Sequence, residues 1–158
     1  MKKFVLILIL ATAAAAQTHD HAQHGTVESR GNQAMGFDQQ KAVHHFVTRD
    51  NGGFIQVTAK DAKDSATVKQ IQDHLKKAVA KFSDGDFSDP AFIHEQTPGV
   101  YTLKRLKSEV KYSYTKLDDG GAIVLKTKNA EALAAIREFF AMQIQDHQTG
   151  DPVPSRGL

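Results

Sequence analysis

Two short turns constrain this chain more than anything else in it. Asp50-Asn51-Gly52-Gly53 and Asp118-Asp119-Gly120-Gly121 stand 68 residues apart, each between short runs rich in β-branched and aromatic residues. Asn-Gly and Asp-Gly between such runs mark β-hairpins, because these residues tolerate the backbone angles of a tight reversal. Ala42 to Thr48 (AVHHFVT) reads as the strand into the first turn and Phe54 to Ala59 (FIQVTA) as the strand out of it. Val110 to Thr115 (VKYSYT) and Ala122 to Thr127 (AIVLKT) do the same around the second. A helix follows each hairpin. The first starts at the Asp64-Ser65 cap and runs to about Phe82, with Val68, Ile71, Leu75, Ala78 and Phe82 on one face. Asn129 caps the second, whose face carries Leu133, Ile136, Phe140 and Ile144.

The halves lie over each other at an offset of 68 in the hairpins, with Phe46 on Tyr114 and Ile55 on Ile123. In the helices the offset is 65, with Ile71 on Ile136 and Leu75 on Phe140. The expected fold is α+β, a tandem ββα-ββα with a four-stranded antiparallel sheet and two helices on one face. VKYSYT alternates as a sheet with one covered face should. The connection 83–109 is expected to hold a short helix with Thr97 as cap and Pro98 in its first position. The uncovered sheet face, with Val43, Val47, Phe54 and Val124 as its apolar members, suits a homodimer.

The flanks read differently. Residues 1–16 have the form of a signal peptide: Lys2 and Lys3, the apolar run Phe4–Leu10, then alanines that end at Ala16. The expected address is periplasmic or secreted, with no membrane anchor after cleavage. Residues 17–36 are polar and Gly/Gln/His-rich, which predicts a flexible arm. Residues 37–150 form the single domain, and 151–158, with two prolines, an irregular tail.

Composition narrows the chemistry. The 158 residues contain no cysteine, which excludes disulfides, thiolate metal sites and cysteine nucleophiles. Without Lys2 and Lys3 the 20 basic residues fall to 18, equal to the 18 acidic ones, so no strong field attracts nucleic acid or an anionic membrane. No phosphate-binding or dinucleotide loop and no G-x-S-x-G elbow is present. What stands out is eight histidines.

The overlay gives three of them a place. His44 falls on Tyr112, so it should point inward and His45 outward. His74 falls on Phe139, at the edge of the first helix's apolar face, and His94 lies in the apolar run AFIH. Three imidazoles on one pocket would bind Cu, Zn or Ni, or a haem iron. Asp73 and Glu95 adjoin two of them and could orient a ring. The alternative is that each histidine is a core residue with its own hydrogen bond. His19, His21 and His24 form a second constellation, able to bind metal without a folded pocket. Cleavage after Ala16 would also put His19 third from a free amine, a square-planar Cu(II) or Ni(II) site. Two other functions remain open: a small enzyme with a histidine general base in the same pocket, and a metal-free module for a small ligand or a protein.

The motifs MGFDQQKAVHHF at Met35–Phe46, GGFIQVTAKD, AFIHEQTPG and the closing QDHQTGDP resemble an uncharacterised family of small exported bacterial proteins. Some of that family carry the label aspartate carbamoyltransferase. The residues here argue against that activity: the Ser-Thr-Arg-Thr helix start of a carbamoyl-phosphate site is absent, and that fold needs two α/β domains.

Overall fold

The structure, a computed structural model, describes residues 26–154. The expected signal peptide and His19, His21 and His24 lie outside the described residues. The fold is α+β, a four-stranded antiparallel sheet with helices. The strands are β1 (Ala42–Arg49), β2 (Gly52–Ala59), β3 (Val110–Leu117) and β4 (Gly120–Thr127), in the order β1-β2-β4-β3. In chain order the helices are α1 (26–35), α2 (Ser65–Ser83), α3 (Ser88–Ile93), α4 (Val100–Arg105) and α5 (Ala130–His147).

Both hairpin turns are tighter than expected. Arg49 pairs with Gly52 and Leu117 with Gly120, so the glycines belong to the strands and two residues make each reversal. The glycines are needed where β2 and β4 pair. A Cβ on Gly52, whose φ is 141°, would lie 2.0 Å from the Leu125 carbonyl oxygen, and one on Gly120 would lie 2.1 Å from that of Val57. Only residues without a Cβ let the two inner strands approach this closely.

Alternate residues of the strands enter one core: Ala42 and Phe46, Ile55 and Val57, Val110 and Tyr112, Ile123 and Leu125. α2 contributes Val68, Ile71, Leu75, Ala78 and Phe82 and is capped by Asp64, whose carboxylate accepts from the Thr67 N–H. α5 contributes Ile136, Phe139, Phe140 and Ile144 and is capped by Asn129. Val43, Val47, Phe54 and Val124, the expected open face, are half-buried.

Three boundaries differ from expectation. The segment 17–36 is not irregular throughout, since 26–35 is helical, with Val27 buried and the Arg30 guanidinium donating to the Ile93 carbonyl. The short helix of the connection starts at Val100, not at Pro98, because Gly99 takes a left-handed conformation with φ 78° directly before it. The tail begins with a fixed residue. Asp151 accepts from the Phe46 N–H and the Thr149 hydroxyl, and its other oxygen stands 2.9 Å from His45 Nδ1. Among the described residues no helix is long and apolar enough to cross a membrane.

Candidate functional site

Alternation along β1 sends His44 to the same side as Ala42 and Phe46 and His45 to the other. His44 reaches a cavity of about 70 Å³ whose wall also includes His74 of α2, His94 after α3 and His147, the last residue of α5. The rest of the wall is mostly apolar, with Phe46, Ile55, Val57, Leu75 and Phe139 among it; Asp89 and Gln143 are polar members. All three expected domain histidines therefore line one cavity, joined by a fourth.

The rings form a chain rather than a cluster. His44 stacks on His147 with centroids 5.0 Å apart, and His94 meets the same His147 edge-on at 5.3 Å. His74 lies further round, its ring edge on Phe37 at 5.8 Å, while Phe37 also stacks on His44 at 6.2 Å. Among the described residues, no group of three or more His, Asp or Glu stands in a geometry that could hold a metal ion. The three expected ligands share a wall, not a coordination sphere.

Burial keeps two of the rings neutral. Burial pushes the His44 imidazole down to about 4, helped by the nearby His74 and His45. Burial does the same to His74, also to about 4, against the opposing pull of Asp89. Both rings are uncharged at neutral pH, with lone pairs available. The Nε2 atom of His44 is buried and has no hydrogen-bond partner. Such an atom forgoes about 1–3 kcal/mol unless something binds it.

His94 is better served. It is 2% exposed, and its Nδ1 lies 2.7 Å from Asp146 Oδ2. An ionised carboxylate only accepts, so Nδ1 carries the proton and the ring orientation is fixed. Burial lowers the pKa of His94, opposed by Asp146 and by a hydrogen bond with Gln143. Asp73 and Glu95 do not fill the orienting role. Asp73 pairs with Lys69 and Lys76, and Glu95 is exposed and 4.0 Å from Arg30.

Comparison with protein-family models, curated proteins and solved structures finds no match.

Proposed function

We propose that the chain is an exported, periplasmic or secreted protein that binds a transition-metal ion, Cu, Zn or Ni, on the imidazoles of this cavity. The observation that carries the reading is the partnerless, buried Nε2 of His44, on a ring stacked 5.0 Å from that of His147. A ligand nitrogen stands ~2.0–2.1 Å from its ion, which leaves the centroids of two rings on one ion about 5 Å apart. His147 thus joins His44, His74 and His94 as a candidate ligand. His94, oriented by Asp146, is a donor of the carboxylate–histidine type common around metals. A cavity of about 70 Å³ has room for an ion and a water or two, not for a porphyrin, so haem drops out of the reading.

The domain is read as two ββα copies with both helices on one sheet face. Several features support this. Each strand of the second copy starts and ends 68 residues after its counterpart. The two hairpins keep the same register, Phe46 opposite Ile55 and Tyr114 opposite Ile123. Across the middle of the sheet Ile55 pairs with Ile123, its own counterpart, as a pseudo-twofold axis between them requires. A Cβ on Gly53 would strike Phe140 of α5, and one on its counterpart Gly121 would approach Leu75 of α2 at 3.1 Å. On this reading His44, His74 and His147 occupy the positions of Tyr112, Phe139 and Phe82. Phe82 packs on Tyr112 at 5.9 Å, as His147 does on His44. One of the two equivalent clusters fills these positions with carbocyclic rings and the other with imidazoles, each cluster drawing on both copies, which points to a site and not to packing alone.

The test is metal content. The variant His19→Ala/His21→Ala/His24→Ala isolates the cavity from the other histidines of the N-terminal stretch. It should keep tight Zn(II) or Cu(II) binding, and adding His44→Phe should weaken that binding at least tenfold. Equal binding with and without His44 overturns the reading. The His94–Asp146 pair favours one second reading, a hydrolytic or isomerase-type enzyme with His94 as general base. Asp146→Asn would then abolish turnover while leaving metal content unchanged.

A further inference from the structure

The cavity wall carries a soft donor as well as its imidazoles. Met35 lies on it with His44, His74, His94 and His147. Met35 ends α1, and Gly36, with φ 74°, turns the chain directly after it. The turn brings Phe37 onto the rings of His44 and His74, so the segment that carries Met35 is anchored on those two histidines. Room for the thioether comes from the preceding turn of the helix. A Cβ on Gly31 would stand 3.1 Å from Met35 Cε, and the methyl group would have to give way.

The sulfur is held as well. Gln39 Nε2 donates to Met35 Sδ at 3.7 Å, while Gln39 Oε1 is buried and has no hydrogen-bond partner. A thioether is a weak acceptor, so the bond does little for the amide. It orients the sulfur, which makes Gln39 a positioning residue. A methionine that only filled a gap in the core would need no such donor.

Donor chemistry then distinguishes the ions. Zinc is held by imidazole, carboxylate or cysteine thiolate, and a stable protein site supplies at least three of them. Among the described residues no three His, Asp or Glu are so arranged. That count leaves the thioether out. His44 and His147, stacked at 5.0 Å, together with Met35 on the same wall, make a mixed nitrogen and sulfur set. Thioether is a soft ligand, and soft ligands select Cu(I). A small, mostly apolar cavity also favours a monovalent ion over a divalent one, because less charge has to leave water.

We propose that the ion of this cavity is Cu(I), held by His44, His147 and the sulfur of Met35. This rests on the metal reading above and narrows it, with Met35 as the residue that sets the choice of metal.

The test compares Cu(I), supplied anaerobically as its acetonitrile complex against a chromophoric chelator, with Cu(II). The parent is the full chain carrying His19→Ala/His21→Ala/His24→Ala. It should bind one Cu(I), and the X-ray absorption spectrum of the copper should show a sulfur neighbour. Met35→Leu keeps the side-chain volume. It should weaken Cu(I) binding about tenfold or more, remove the sulfur neighbour, and change Cu(II) affinity by no more than about threefold, since imidazole alone suits Cu(II). Met142→Leu, on a separate groove along α5, should change neither affinity. Met35→Leu that binds Cu(I) as the parent does, or a parent whose bound Cu(I) has no sulfur neighbour, overturns the role of Met35 and leaves the imidazole site standing. Equal losses of Cu(I) and Cu(II) in Met35→Leu also overturn it, because the side chain then acts through packing. Binding of Cu(II), Zn(II) or Ni(II) but not of Cu(I) overturns this inference alone. A parent that binds none of the four ions, or His44→Phe that binds them as the parent does, overturns the metal reading and this inference with it.

Discussion

An imidazole enclosed by hydrocarbon stays neutral at a pH where a free one is half protonated. His44 and His74 have folded-state pKa values of about 4 against 6.5 for the unfolded chain. Between those values the unfolded chain binds more protons, so stability rises with pH. The contribution of each ring is fully present above about pH 6.5 and is lost progressively as pH falls towards 4. The loss is on the order of 3 kcal/mol per ring at the lower end. Urea unfolding at pH 7.5 and pH 4.5 should show the drop, and His44→Phe should reduce it by removing one titrating group. Bound metal should leave over the same range, since protons compete for the same nitrogens. At this scale the sequence revealed three of the four cavity imidazoles. The offset that places His74 on Phe139 also places His147 on Phe82, at the end of the first helix's apolar face, and following it one turn past Ile144 would have found the fourth. Asp146 carried no such signal. It meets His94 across 52 residues of sequence, and proximity in the chain favoured Glu95, which points elsewhere.

Edges and ends of elements are where local sequence said least. β1 is an edge strand, and the Phe46 N–H, on its outer side, bonds to the Asp151 carboxylate. Burial works to raise the Asp151 pKa, but the bonds from Phe46, Thr149 and His45 hold it below the usual carboxylate range. Asp151→Ala should cost about 1–2 kcal/mol in chemical denaturation. Asp151→Asn, which still accepts from Phe46, should cost less. An equal loss would mean that the charge opposite His45 matters more than the cap on the strand. α1 was hidden for a related reason. Its buried stripe consists of Val27 and Gly31, too little apolar surface to stand out among Gln, Asn and Ser. Val27→Ala should lower stability by about 1–2 kcal/mol, a loss an unpacked arm would not show. The hairpins, by contrast, were legible almost to the residue, because turn chemistry and strand alternation are local rules. Only the glycines were misassigned, as turn residues instead of strand residues needed for close pairing of β2 and β4.

On the scale of the whole molecule, the proposed duplication supplies a control for the histidine cluster, the equivalent cluster of Phe82, Tyr112 and Phe139. Phe82, Tyr112 and Phe139 are in mutual or shared ring contact and are buried, so their positions accept carbocyclic aromatics without strain. Placing the same residues at the equivalent positions gives the variant His44→Tyr/His74→Phe/His147→Phe. It keeps ring volume roughly constant and removes three polar groups from a mostly apolar wall. If the imidazoles are there for a ligand, they are retained at a cost in stability. The metal-free variant should then melt at least as high as the parent at pH 7.5. At pH 5 it should melt several degrees higher, because His44 and His74 no longer oppose folding by demanding protons in the unfolded state. Bound Zn(II) or Cu(II) should be lost from the cavity in the same variant. A variant that melts lower at both pH values would mean that the imidazoles serve the packing itself, and that the fold depends on the polar cluster.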